Sequence, residues 1–360
     1  MDSIVTVGTR DYAVYFDRVA IRRCFVAGRL TDDADGRPIA REARIVVDEP
    51  LLRAEFSDDS YGIAGDPDVA LTDTNVPHNV TFIVSAPDYR EDLFTVTVPA
   101  APTGPEVRDV GLRRLPARAS GQVLGLTGGL KPTYVPVGGA TIDITGPTGP
   151  GGEKPLLLAQ PLRRDPGPGS TLQGLALTVQ PVRIAAADSR SGHNEIVLLD
   201  GGGVVAGQLL RFGPPERRHW AQVADIAPDP VRPAPAALVT LVEPLSGSVG
   251  AGDSVEPFDA VAFAGDIATP QGPAFAGEAV LWVDMIPAGG DVLALREAGL
   301  PDQYYDRKVT SGPGGDYAIR GFARLGSCEM TVTAAGFTAQ TRIFPAARLA
   351  ASPLDWRLIP

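Results

Sequence analysis

Apolar residues in this chain come in short alternating runs, and nearly every run is closed by glycine or proline. The pattern starts at once with Ile4, Val5 and Val7, continues through Tyr12, Val14 and Phe16, and then Val19 and Ile21. Period-two alternation marks a strand with one buried face, and Gly or Pro between such runs marks turns. Phe25 to Val47, FVAGRLTDDADGRPIAREARIVV, reads as strand, acidic turn, Gly36-Arg37-Pro38 and strand. The same grammar returns in Ser120 to Gly146 and, more loosely, in Phe263 to Asp284. Helical spacing is confined to Gly290–Leu300, where Leu293, Leu295 and Leu300 precede Pro301; this predicts a turn or two of helix. The fold class expected is therefore all-β.

A longer repeat organises these runs. Val80 to Pro116 carries VTFIVSAPDYREDLFTVTV and closes on DVGLRRLP; Glu329 to Pro360 carries EMTVTAAGFTAQTRIF and closes on LDWRLIP. Each is a strand, a small-residue turn before an aromatic (Ala86-Pro87-Asp88-Tyr89, Ala334-Ala335-Gly336-Phe337), a second strand, a spacer and a last strand. Repetition of this kind points to copies of one β module. The first copy spans 1–116. The second opens at 117–154 and is completed only in 263–360, so 155–262 reads as an insertion. The insertion has its own repeat: Pro161-Leu162 before Gly169-Ser170-Thr171-Leu172, and Pro244-Leu245 before Gly252-Asp253-Ser254-Val255. Its short strands and tight Gly turns predict a small β-barrel-like domain.

The module grammar resembles the carboxypeptidase regulatory-like domain, a transthyretin-like β-sandwich. The resemblance rests on Gly28–Ala43 and Gly121–Ala140, on Gly312-Pro313-Gly314-Gly315-Asp316-Tyr317-Ala318-Ile319, and on the turn aromatics Tyr89 and Phe337. The chain departs from the family pattern at 311–316, where Ser or Gly replaces the usual acidic residue. The resemblance implies two transthyretin/Ig-like sandwiches, the second interrupted by the insertion. Ala206–Gly213, AGQLLRFG, followed by VTLVEPL and a G-x-x-V turn, is similar to a segment of phage tails and contractile injection systems. That likeness implies an accessory, structural part of such a particle, and brings no catalytic residues with it.

Composition narrows the partners. With 360 residues the chain has room for two or three packed domains. A net charge of −11 is the wrong sign for nucleic acid or an anionic membrane surface. No apolar run is long enough to span a bilayer, and the first residues lack a basic leader with an apolar core. The expectation is cytoplasmic synthesis, with residence in a released particle compatible with it. Cys24 and Cys328 are too few for a disulfide framework, and their pairing stays open.

Candidate chemistry is sparse. His78, His193 and His219 are scattered, without metal-ligand spacing, and read as surface positions. Ser246-Gly247-Ser248-Val249-Gly250 lacks the first glycine of a nucleophile elbow. Gly201–Gly203 and Gly312–Gly315 lack the lysine and helix of a phosphate loop and read as hairpin turns. Asp32, Asp33 and Asp35 offer three carboxylates to a calcium ion, against the simpler reading of a polar Asp-Gly turn. Trp220 lies among apolar neighbours, as a core residue or a partner contact. Adjacent Tyr304 and Tyr305 place one ring on each strand face, so one of them is expected in solvent, within a loop spanning Ala288–Lys308 that is the favoured candidate for a partner contact, against the reading of a solvated loop. No catalytic residue and no cofactor is expected. The function implied is a non-enzymatic structural or adaptor protein with protein partners in a large assembly; the alternative is a glycan- or peptide-binding module using the insertion.

Overall fold

The computed structural model describes residues 3–7, 10–14, 23–33, 36–57, 59–65, 76–100, 102, 104–129, 131–149, 151–213, 218–272, 274–322, 327–345 and 353–360. The chain is built from strands, and the one helical element among the described residues is a single 3₁₀ turn, Ala40–Glu42. It divides into two compact units, Met1–Leu115 and Pro116–Pro360. Cys24 is half-buried in the first unit, Cys328 is buried in the second, and both are free thiols.

In the first unit, Arg23–Asp32 is the central strand of one sheet. It pairs antiparallel with Ser60–Gly65 and parallel with Val110–Leu112. A second sheet is formed by Arg44–Val47, His78–Ser85 and Asp92–Val98 in that order. Alternate residues of both sheets enter one buried cluster: Phe25, Leu30 and Ile63 from the first, Phe82, Val84 and Val98 from the second. Burying such side chains supplies about 1.5–3 kcal/mol each, which is why the alternating pattern dictates the layering.

The second unit repeats this scheme with its own residues. Ala117–Leu126 pairs antiparallel with Asp316–Phe322 and parallel with Trp356–Leu358. Thr141–Gly146 pairs with Ser327–Thr333, which continues to Gln340–Pro345. Registers correspond closely. Gly28 lies opposite Tyr61 as Gly121 lies opposite Tyr317. Leu30 lies opposite Val110 as Val123 lies opposite Trp356.

A shared contact explains the conserved spacing of the two copies. The Tyr61 hydroxyl donates to the Arg108 carbonyl at 2.7 Å, and the Tyr317 hydroxyl donates to the Leu354 carbonyl at 2.7 Å. In each case the carbonyl lies two residues before the parallel strand's paired residue, and it presses on the glycine of the central strand. A Cβ on Gly28 would sit 1.9 Å from the Arg108 oxygen, and one on Gly121 would sit 2.2 Å from the Leu354 oxygen. Only glycine leaves room for the chain crossing there.

The aromatic after each small-residue turn also has one job in two versions. Tyr89 donates to the Asp32 carboxylate at 2.9 Å, whereas the Phe337 ring covers Gly125, where a Cβ would meet it at 2.3 Å.

The segment between the two parts of the second copy departs from expectation in four ways. It is no barrel: its strands form an open nine-stranded sheet that starts at Glu195–Leu198 and ends at Gln303–Asp306. It also runs further along the chain. Ser254–Ala268, Val292–Arg296 and Gln303–Asp306 all belong to that sheet, so the chain does not pass cleanly to the frame at residue 263; within this stretch Ala279 and Val280 join the frame's core with Tyr317 and Trp356. Phe263 to Asp284 is accordingly no third copy of the module; its second strand, Val280–Val283, pairs with Lys154–Leu157. Finally, Gly290–Leu300 is no helix. Val292–Arg296 is a strand between Thr171–Val179 and Gln303–Asp306, with Val292 to Leu295 all buried. A short continuous apolar run suits a doubly covered strand as well as a helix, and the two flanking ladders decide for the strand.

Candidate functional site

The acidic turn folds inward. The Asp32 N–H donates to the Arg37 carbonyl at 2.8 Å, the Gly36 N–H donates to the Asp32 carbonyl at 2.8 Å, and Gly36 takes a left-handed φ of 71°. The Asp32 carboxylate is buried, where it accepts from Tyr89 and from the Arg114 guanidinium. It thus ties the turn to the far end of the hairpin repeat. Asp33 sits at the surface end of the strand, and Asp35 lies outside the described residues. Among the described residues no group of three or more His, Cys, Asp or Glu side chains is placed to hold a metal.

A concavity lies in the second unit, a cleft of about 680 Å³. Both copies of the insertion's Pro-Leu motif open onto it. Leu162 and Leu245 plug into separate buried clusters, which fixes the turns that follow. Those turns deliver Arg163 on one side and Ser246, Gly247 and Ser248 on the other. Gly169 and Gly252 then take left-handed φ values of 81° and 92°, starting the next strands. Gly247 is held close by packing, since a Cβ there would stand 3.0 Å from the His219 ring.

Arginines dominate the lining: Arg163, Arg218 and Arg320 all border the cleft. Arg163 is fixed by Glu243 at 3.2 Å and by the Trp220 carbonyl at 3.0 Å. Glu243 also holds Arg164 at 2.9 Å, and Arg164 reaches Glu297 at 3.3 Å, so the chain of charges continues behind the wall. Arg320 projects from the strand Asp316–Phe322, is exposed, and its guanidinium has no hydrogen bond or ion pair with any described residue. Asp306 lies just behind the wall, taking 2.7 Å and 2.9 Å hydrogen bonds from and to Gln160. Burial raises its pKa, opposed by the Gln160 hydrogen bond and by the positive charge of Arg218 and Arg211.

Tyr304, Tyr305 and Trp220, singled out by sequence as partner contacts, lie in or behind this wall and are all buried. Tyr304 and Tyr305 border the cleft, yet both are buried, at 7% and 0% exposure; neither ring stands in solvent. The strand Gln303–Asp306 that carries them replaces the loop predicted over Ala288–Lys308. Its two faces meet separate cores, Tyr304 joining Trp220 and Phe258, and Tyr305 joining Leu293 and Leu295. Burial pushes the Tyr305 hydroxyl up to about 12, and that hydroxyl accepts from the Arg163 N–H at 3.2 Å. Trp220 is fully buried and packs at 5.4 Å from Phe258, with Arg211 lying over both rings. His219 is no surface residue either; its ring stacks on Phe212 at 5.1 Å. The arginines gave no signal in sequence, because nothing in their spacing shows that positions 163, 218 and 320 meet.

No family model matches the chain, and no curated protein does. Among solved structures, the crystal structure of BcpA, the major pilin subunit of Bacillus cereus, is similar over 94% of this chain and 99% of that one. The identity is 8% and the TM-score 0.20, a likeness too slight to carry an argument. No helix among the described residues is long and apolar enough to cross a membrane.

Proposed function

We propose that this chain is a non-enzymatic docking protein, an accessory component of a phage-tail-like contractile particle, whose frame is a pair of transthyretin-like sandwiches. It is made in the cytoplasm and carried within the released particle. One observation supports docking through strands. The strand Ser254–Ala268 pairs with Leu209–Phe212 only as far as Phe258. Among the described residues, the next ones, Asp259 to Ala262, are laddered on one side alone, to Thr171–Val179. Beside this open edge, Val261 and Phe263 are 67% and 38% exposed. An open edge flanked by apolar side chains accepts an added strand from a partner, the backbone giving affinity and alternate side chains giving specificity.

Co-sedimentation from native lysate tests the reading. The wild-type chain is expected in the fast-sedimenting fraction together with sheath and tube proteins, and Val261→Pro is expected to release it while melting normally. A chain that stays in the slow fraction under every extraction condition would sink the particle assignment. A Val261→Pro chain that still co-sediments would separate the particle role from this edge.

A further inference from the structure

We infer that the cleft bordered by the two Pro-Leu turns is a binding site for an oxyanion, a phosphate or carboxylate group carried on a small polar molecule. Its volume of about 680 Å³ falls within the ~300–1,000 Å³ of sites for small ligands. The charge of its wall runs against that of the whole molecule: three guanidiniums border the cleft of a chain whose net charge is −11. Asp253 is the one carboxylate on that border, and one of its oxygens already accepts the Gly250 N–H at 2.7 Å.

The cations differ in what they are free to do. Arg163 is pinned by Glu243 and the Trp220 carbonyl, so its orientation is set before any ligand arrives. Arg218 faces the buried Asp306 charge as well as the cleft. Arg320, whose guanidinium has no partner among the described residues, keeps its full set of donors for an anion. Guanidinium donors match the two oxygens of a carboxylate or phosphate, and such charge-assisted pairs are stronger than neutral ones. Ser246 and Ser248 add hydroxyls on the opposite rim, suited to the alcohol groups of the molecule that carries the anion. The buried tyrosines offer no exposed ring face for stacking, which disfavours a neutral sugar as the occupant.

Titration calorimetry on the full chain, with inorganic phosphate in one arm and glucuronate in the other, tests this. Saturable binding in at least one arm is expected, weakened at least tenfold by Arg320→Gln and weakened by raising NaCl from 50 to 500 mM. Arg320 is exposed, so its variant should melt with the wild type; Ser248→Ala serves as a second, milder variant, with a two- to fivefold loss. Phosphate alone binding identifies a tetrahedral group, and glucuronate alone identifies a carboxylate. No heat in either arm at 10 mM ligand overturns the inference, and so does binding that Arg320→Gln leaves unchanged.

Discussion

Replacing Tyr317 by phenylalanine removes a single oxygen atom from the centre of the second unit. That hydroxyl donates to the Leu354 carbonyl at 2.7 Å and accepts from the Trp356 indole N–H at 3.1 Å. Tyr317, Leu354 and Trp356 are 3%, 6% and 0% exposed, so water does not replace the lost partner. Each polar group orphaned in such a place costs about 1–3 kcal/mol, giving about 2–6 kcal/mol for the pair. At an m-value of roughly 3 kcal/mol per molar urea, the midpoint falls by about 1 M. Tryptophan emission reads this unit alone, because Trp220, Trp282 and Trp356 all lie beyond residue 115. Tyr61→Phe supplies the internal comparison. Its hydroxyl donates to the Arg108 carbonyl, with no indole beside it, and Arg108 is exposed, so the loss should be nearer 1 kcal/mol, followed by circular dichroism. A Tyr317→Phe midpoint within 0.2 M of the wild type, or a loss no larger than that of Tyr61→Phe, would refute the reasoning that the crossing is held by this shared hydroxyl.

The remaining predictions concern the same crossing and its surroundings. Gly121→Ala puts a methyl 2.2 Å from the Leu354 oxygen and should cost about 2–4 kcal/mol by the same urea measurement, whereas Gly128→Ala, in open space, should cost under about 0.5. Equal effects at the two positions would show that close approach is not what selects Gly121. Burial pushes Tyr61, Tyr305 and Tyr317 up to about 12 from 10.0. Between those values the folded chain holds protons that the unfolded chain has released. Their stabilisation is therefore complete below pH 10 and lost as pH rises towards 12, on the order of 2–3 kcal/mol for Tyr305, the most deeply buried, and less for Tyr61. Absorbance at 295 nm should show these tyrosines ionising together with loss of the β dichroism signal; titration of all eight near pH 10 with the fold intact would contradict this.

How far the sequence spoke for itself can be judged from individual residues. The alternating runs around Val80–Val84 and Glu329–Val332 became hairpin strands because period two is a local property, enforced by which face meets the core. The glycines that open each module were legible as a spacing, Gly28 and Gly121, but their reason was not. That reason is a carbonyl arriving from 80 residues or more than 200 residues away along the chain. Tyr304-Tyr305 was misread as half-exposed because alternation assigns opposite faces without saying whether both are covered. The run from Val292 to Leu295 was misread as helix because four apolar residues carry no period of their own.

Sequence alone determined that this protein is all-β, and it showed the self-similarity of the runs at Val80–Pro116 and Glu329–Pro360. Both follow from local periodicity and from repetition along the chain, which need no knowledge of distant contacts. The tertiary structure decided the rest. It opened the insertion into a nine-stranded sheet rather than closing it into a barrel, and buried Asp32 against Tyr89 and Arg114. It also brought Arg163, Arg218 and Arg320 to one cleft. Strand order and the convergence of charges depend on which segments find each other across long loops, and that is a property of packing energy summed over the whole unit, not of any run of residues within it.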